Sequence, residues 1–390
     1  MKVSYCMDRN VDADYKVLNI NFKKLKWIQV SVEKKWNLYW ASSQSVRTLF
    51  RRNSHVRLNE NQIVNHFPNH YELSRKDLLV RNIKRYRRIL QRSGNPIAAI
   101  NPNTKRYMYL DFIPATFVLP EEYNIFKQEF LGTGPSMWIV KPVGRSRGVG
   151  IFLINKLTKL KKWAQESKEP YNPNTPREHY VISRYIERPL LIGGRKCDLR
   201  MYVLVTSFKP LKAYMYKSGF CRFCTVQYKT NLDDIDNVFV HLTNVSVQKN
   251  GREYNSLTGS KMTIHNFRLL LEGTKGKQAT DMMFDKIVWL IVHTLKSVSN
   301  VMVNDRHCFE CYGFDIIIDD QLKPWLVEVN ASPSLSATSM NDRIIKQKLV
   351  NDILSIVLPP SGIPDIKWNK NPSKTVYGDF ELLINEEDLI

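Results

Sequence analysis

The segment Tyr312-Gly-Phe-Asp-Ile-Ile-Ile-Asp-Asp-Gln-Leu-Lys-Pro-Trp-Leu-Val-Glu-Val-Asn-Ala-Ser-Pro-Ser334 frames the reading of everything else in the chain. Two apolar runs flank the polar stretch Asp319–Lys323, which reads as two strands around a turn. Side chains alternate along a strand, so Glu328 and Asn330 share one face while Val327 and Val329 take the other. Closing the hairpin about its turn brings Asp315 close to opposite Glu328. Two facing carboxylates repel, and burying them unpaired is costly. A divalent cation removes that cost, and the three hard oxygen donors suit Mg²⁺ better than zinc. The hairpin is therefore expected to be a Mg²⁺ platform serving a nucleotide phosphate. A structural pair of polar residues near a strand end fits the same pattern, so the rest of the chain has to discriminate.

The chain has 390 residues, of which 43% are hydrophobic, enough for a large core and two or three domains. No apolar run approaches the ~18 residues of a membrane span. The start, Met1 to Asp8, has no apolar secretory core, so a soluble intracellular protein without a membrane partner is expected. A formal charge of +21 calls for a polyanionic partner: nucleic acid, an acidic membrane surface or an acidic protein. Nucleic acid is disfavoured because no base-stacking aromatic array accompanies the basic residues. Cys221/Cys224 and Cys308/Cys311 form two Cys-x-x-Cys pairs and raise a Cys₄ zinc site. They lie in strand-like apolar text without Gly-rich knuckles, so reduced core thiols are the preferred reading.

Residues 1–73 read as a small α/β domain, with strand candidates at Lys26–Val32 and Trp36–Trp40. His66 and His70 lack a nearby acid or thiol and read as loop or packing residues. Ser74-Arg-Lys-Asp77 matches a capping box opening a helix to about Arg92, and Gly94-Asn95-Pro96 ends it. Leu79, Ile83, Tyr86 and Leu90 form its apolar stripe. Arg81, Lys84, Arg85 and Arg88 form a basic stripe that suggests docking of an acidic partner.

Residues 74–188 are expected to hold one domain around the strand Trp138–Pro142 and the loop Gly144–Gly150. Glycines let backbone N–H groups approach a phosphate, and Lys141, Arg145 and Arg147 add charge. The polar stretch Lys159–Pro176, with Pro170, Pro173 and Pro176, reads as a surface loop. A further domain spans 189–365, followed by a tail, 366–390. In Arg195–Val205, Lys196, Asp198 and Arg200 share one strand face; Cys197, Leu199 and Met201 share the other. Arg222 stands alone among apolar neighbours and wants a carboxylate or phosphate. His241–Asn244 is a polar turn, Lys261 precedes a helical segment, and 269–298 reads as helix with Phe284, Ile287, Val288 and Ile291 inward. Pro359–Gly362 and Trp368-Asn-Lys370 mark a loss of order, and the acidic end Glu381–Ile390 reads as peripheral. No Ser/His/Asp arrangement is legible.

Trp-Ile-Val-Lys-Pro, the Gly-x₃-Gly-x-Gly-Ile loop, Gly-Gly-Arg-Lys-x-Asp-Leu-Arg, His-Leu-Thr-Asn and Pro-Trp-Leu-Val-Glu-Val-Asn-Ala-Ser-Pro-Ser occur in that order. Together they resemble the tubulin–tyrosine-ligase-like family of ATP-grasp enzymes. Cys-Phe-Glu-Cys-Tyr-Gly-Phe-Asp and Lys-Trp-Asn-Lys point to its polyglutamylase branch. Cys197 and Arg147 depart from the Phe and Gln common in the family. The resemblance implies an α+β ATP-grasp fold with ATP between two sheets. It assigns ATP contacts to Lys141, Arg147, Gly148, Ser183, Arg184, Tyr185, Ile186, Lys196, Cys197, Asp198, Thr243 and Asn244. The Ser183–Ile186 backbone would meet adenine. Asp315, Glu328 and Asn330 would hold Mg²⁺; Arg222 and Lys261 would bind free L-glutamate; Arg147, Arg200, Arg222 and Glu328 would be catalytic. The implied reaction activates a glutamate side chain in an acidic tubulin tail as an acylphosphate, which the amine of free glutamate attacks. Tubulin and microtubules, accessory subunits of a complex, and a cytoplasmic, cytoskeletal or ciliary (basal body or axoneme) location follow from the same likeness. Glycine or tyrosine ligation, or a non-catalytic microtubule-binding scaffold, are the alternatives.

Overall fold

The computed structural model describes residues 2–8, 12–51, 54, 56–166, 179–229, 235–251, 261–337, 339–368 and 376–389. Pro170, Pro173 and Pro176 of the expected surface loop, and Asn369 and Lys370, lie outside them.

Three sheets organise these residues. The first is parallel, in the order Ile28–Gln29, Ser4–Met7, Leu38–Trp40, Ile63–Val64. It shrinks the expected Lys26–Val32 strand to two residues and adds the Ser4–Met7 strand and the Asp12–Lys24 helix. The second sheet is antiparallel: Thr116–Leu119, Tyr180–Arg184, Trp138–Pro142, Phe152–Ile154. The expected strand–loop–strand around Gly144–Gly150 is its Trp138–Pro142/Phe152–Ile154 pair.

The third and largest sheet is built around one long strand, Arg195–Phe208. Its odd positions Cys197, Leu199, Met201, Val203 and Val205 bury against the helix Lys277–Ser299, alongside Ile287 and Ile291. Its even positions split. Tyr202 and Leu204 pack with Leu349, Val350 and Ile353 of the helix Met340–Val357. Lys196, Asp198 and Arg200, nearer the strand's start, carry charge instead. Where apolar residues stop on this face, helix cover stops, and a cleft opens.

The hairpin forms with the expected register. Strands Glu310–Ile318 and Pro324–Asn330 pair antiparallel, with Asp315 opposite Glu328 and a bulge just after Asp315. Asp319 closes the turn, its Oδ1 accepting from Gln321 N and Lys323 N at 3.0 and 2.9 Å.

Four local expectations are corrected. The helix begins at Lys76 without a side-chain cap, because Arg75 takes the Asp77 carboxylate and Ser74 Oγ bonds back to His70 O. Its basic stripe is partly neutralised: Arg81 meets Glu121, and Lys84 meets Glu122 at 2.9 Å. The segment 269–298 belongs to two helices, Ile264–Lys275 and Lys277–Ser299, broken at Gly276. The chain end is not peripheral: Phe380–Asn385 extends the third sheet beside Leu211–Tyr216, with Phe380 fully buried against Tyr216. Cys221, Cys224 and Cys308 are buried free thiols and Cys311 is half-buried. Among the described residues, no helix is long and apolar enough to cross a membrane.

Candidate active site

The second and third sheets face each other across a cleft of about 1150 Å³, its open mouth included. Lys141, Arg147, Gly148, Ser183, Arg184, Tyr185, Ile186, Lys196, Asp198, Arg222, Thr243, Asn244, Asp315 and Glu328 all line it. Residues spread over 188 positions of sequence thus meet in one place, which the spacing along the chain could not announce.

The floor is an alternating charge row. Arg222 donates through Nε to Asp198 Oδ1 at 2.8 Å and also pairs with Asp315 Oδ2 at 3.0 Å. Arg200 Nε holds Asp315 Oδ1 at 2.5 Å, and its Nη2 holds Oδ2 at 3.0 Å. Strand pairing sets this row, since Asp198 lies opposite Arg222 and Arg200 opposite Asp315. Burial pushes the Asp315 carboxyl up, but the charges of Arg200 and Arg222 outweigh it and hold the group well below the usual carboxylate range. Asn330 lies within reach, its Nδ2 3.3 Å from Asp315 Oδ2. Gly313 keeps this approach open: a Cβ there would meet Pro333 Cβ at 3.0 Å and Arg200 Cδ at 3.2 Å.

Lysines stand above the row. Lys196 Nζ donates to Tyr185 Oη and to His241 O, both at 2.8 Å. Burial pulls the Lys141 ammonium down to about 8, against the opposing charge of Glu328. Lys76, from the start of the basic helix, reaches Glu328 Oε2 at 3.6 Å and Arg145 O at 3.1 Å. On the loop's other side, Ser246 Oγ donates to Arg147 O at 3.2 Å. The glycine loop is therefore tethered from both flanks. Arg147, Gly148 and Gly150 take positive φ within it. Gly148 has no room for a side chain, since a Cβ would sit 2.7 Å from Val247 Cγ2.

Four expected residues stand apart from the cleft lining. Cys197 is on the opposite strand face, in the core, with Sγ 3.8 Å from Leu190 O, so its side chain cannot contact a ligand in the cleft. Arg200 and Asn330 act beside Asp315. Lys261 sits beyond Arg222 in the sheet and pairs with Asp342 at 2.7 Å. The Arg184 and Tyr185 N–H groups are bonded to Ala115 O and Met137 O, so a base meeting this segment would rely on its other atoms.

Lys76 and Gln248 carry no signal in the sequence, and His241 is marked there only as part of a polar turn and motif, not as the partner of Lys196. Gln248, fully buried, shapes the His241–Asn244 turn by donating to Leu242 O and accepting from Thr225 N at 2.7 Å. A Ser/His/acid chain also exists: Ser332 Oγ lies 3.3 Å from His66 Nε2, and His66 Nδ1 lies 2.7 Å from Glu310 Oε1. Its members come from distant segments, and its acid is a glutamate, so the sequence hid it.

The hairpin sets two carboxylates in facing register, hard oxygen donors of the kind a divalent cation takes, and the Asn330 amide beside them turns its Nδ2 to Asp315. Their set contains an asparagine, and among the described residues no group of three His, Cys, Asp or Glu side chains is placed to hold a metal.

The model of the tubulin-tyrosine ligase family matches residues 54–366. The chain belongs to the tubulin-tyrosine ligase family. It is 45% identical over 386 residues to a Tetrahymena thermophila protein named probable alpha-tubulin polyglutamylase Ttll1, covering 96% of this chain and 92% of that one. It is 39% identical to a Bos taurus protein named probable tubulin polyglutamylase TTLL9, over 91% of this chain and 82% of that one. A Mus musculus protein named tubulin polyglutamylase TTLL5 is 38% identical over 89% of this chain and 24% of its own length. Membership makes this tubulin-tyrosine ligase family protein an α+β, ATP-grasp-like ligase.

Proposed function

We propose that the chain is an ATP-dependent tubulin polyglutamylase that joins free glutamate to glutamate side chains in acidic tubulin tails. The observation that carries this reading is the charge row Asp198–Arg222–Asp315–Arg200 at the floor of the cleft, with Lys141 and Lys196 above it. The named relatives support the substrate.

A carboxylate is a poor electrophile and must be activated. ATP supplies the phosphoryl group, and Mg²⁺, held by Asp315, Glu328 and Asn330, supplies neutralising charge when bound. The chain's own residues do the rest. Lys141, Lys196 and the N–H groups of residues 144–150 hold phosphate oxygens, with Arg147 at the loop's tip. The Ser183–Ile186 backbone meets adenine, and Asp198 and the Thr243-Asn244 turn contact the nucleotide. Arg200 and Arg222 keep Asp315 ionised and fixed, so that no reorganisation is needed as charge moves. Arg222 and Lys261 offer two cations to the carboxylates of incoming glutamate, more than glycine could use. Each is already shared with Asp315 or Asp342, so they act as a tuned field rather than as bare hooks.

The proposed division is 1–73, 74–188 and 189–365, with the strand Phe380–Asn385 of the segment 366–390 folded into the sheet of the last part. The +21 charge fits acidic tails. Association with the cytoskeleton accompanies such a substrate; accessory subunits and a basal body or axonemal site belong to the proposal.

Incubating the protein with tubulin, ATP and labelled glutamate, glycine or tyrosine, with and without candidate partner subunits, tests it by mass spectrometry of the tails. Added glutamate units are expected. Addition of glycine or tyrosine instead would discard the assignment.

A further inference from the structure

Behind the hairpin lies a buried acid–imidazole pair that the reaction described so far does not use. Glu310 is fully buried, and three donors converge on it: His66 Nδ1 at 2.7 Å, Phe67 N at 2.9 Å and Tyr312 Oη at 2.8 Å. His66, itself 2% exposed, is carried by the chain that leaves the first sheet. Val64 locks that chain to the hairpin, its N–H donating to His307 O at 2.8 Å and its O accepting from Phe309 N at 3.1 Å.

The Glu310 carboxylate only accepts, so His66 turns a protonated Nδ1 toward it and leaves Nε2 facing the other way. The group at Nε2 is the Ser332 hydroxyl, 3.3 Å away. A hydroxyl has one hydrogen and two lone pairs. Whichever of the two donates, the hydroxyl keeps at least one lone pair, so Ser332 presents acceptor capacity to whatever else approaches. Ser332 is exposed, so something can.

Its location gives that capacity a use. Ser332 follows candidate ligand Asn330 by two residues. Pro333 and Arg200 crowd the same point above Gly313. Further along, Lys346 donates to Ser336 O and shares Asp342 with Lys261. The segment 331–336 is thus pinned between His66 and Lys346, whose partner Asp342 also holds the Lys261 assigned to the amino acid's carboxylates. An incoming amino acid also carries an amine: its N–H groups seek an acceptor, its lone pair has to face the activated carboxyl, and a rim rich in Arg and Lys offers it only donors. We infer that Ser332 is the acceptor that orients the amine of the incoming amino acid toward the activated carboxyl. His66 and Glu310 are its positioning residues.

This rests on the amino-acid ligase reading, and the test separates the two half-reactions. Hydroxylamine traps an acylphosphate as a hydroxamate without needing the amino acid site. Wild type, Ser332→Ala and Ser332→Thr are given tubulin and ATP with hydroxylamine, or with labelled glutamate. Ser332→Ala is expected to keep hydroxamate formation within about twofold, while glutamate ligation falls about 10- to 100-fold. Ser332→Thr keeps the hydroxyl and restores most of it. His66→Gln and Glu310→Gln should lower ligation in the same selective way. Unchanged glutamate ligation in Ser332→Ala, or equal loss of both products, overturns the inference. Wild type that forms hydroxamate but no glutamate adduct instead overturns the glutamate assignment, and the same comparison is then made with whichever amino acid is ligated.

Discussion

Asp315 stands directly opposite Glu328 in the hairpin, yet both of its oxygens are already bonded to Arg200 and Arg222. The two carboxylates therefore do different work. Asp315, 2% exposed, belongs to a neutralised row inside the sheet. Glu328 is only half-buried and faces the cleft.

Replacing Glu328 with Gln should leave folding intact, since the residue is not walled in by partners. Ligation should fall by about 100-fold or more, as for loss of a group acting in the transition state. Melting temperature and turnover measured on one preparation check both halves; a variant that keeps its turnover would sink the assignment.

Arg222→Met should do the reverse to stability. It leaves Asp198 and Asp315 buried beside each other with one cation fewer, and breaking such a buried pair costs about 3–5 kcal/mol. The urea midpoint should drop accordingly, and a midpoint like wild type would mean that the row contributes nothing.

Withdrawal of divalent cations should abolish ligation while barely moving the urea midpoint. Arg200 and Arg222 already compensate Asp315, so the fold does not need the metal's charge. A large stabilisation by Mg²⁺ alone, without nucleotide, would contradict this.

Gly148→Ala meets two obstacles, φ +82° and Val247 Cγ2 at 2.7 Å. The strain, about 1–3 kcal/mol, should fall on the loop and raise KM for ATP. Adding Val247→Ala removes the clash but not the φ cost, so the double variant should recover part of the loss. Steady-state kinetics of the two variants decide it, and identical KM values would remove Val247 from the explanation.

His293 should give stability a pH dependence. Burial, with the Lys296 charge adding, lowers it from 6.5 to about 4, and its Nδ1 is bonded to Tyr86 Oη at 2.8 Å. Between those values the unfolded chain binds a proton that the folded chain refuses. Stability from this site is thus complete above about pH 6.5 and declines as pH falls toward 4. Denaturant titrations of wild type and His293→Gln should diverge across that window; parallel profiles would exclude the residue.

What lay open in the sequence was whatever depends on near neighbours. Strand alternation placed Lys196, Asp198 and Arg200 on one face and put Glu328 in register with Asp315. Helix periodicity turned Leu79, Ile83, Ile287 and Ile291 inward. The capping box at Ser74 misled because Arg75 competes for Asp77, a contest settled by side-chain reach. The final strand was hidden because its short apolar run sits among acids, and only the edge at Leu211–Tyr216 makes it a strand.

By itself, then, the sequence determined the hairpin, the charged strand face, the glycine loop and the family they compose. Each is set by bonding geometry that repeats every two to four residues. Only the tertiary structure decided that Arg200 and Arg222 neutralise Asp315, that Lys76 tethers the loop, and that His66, 244 residues from Glu310, stands behind Ser332. Those contacts come from how sheets stack and strands cross, and chain proximity carries no record of that.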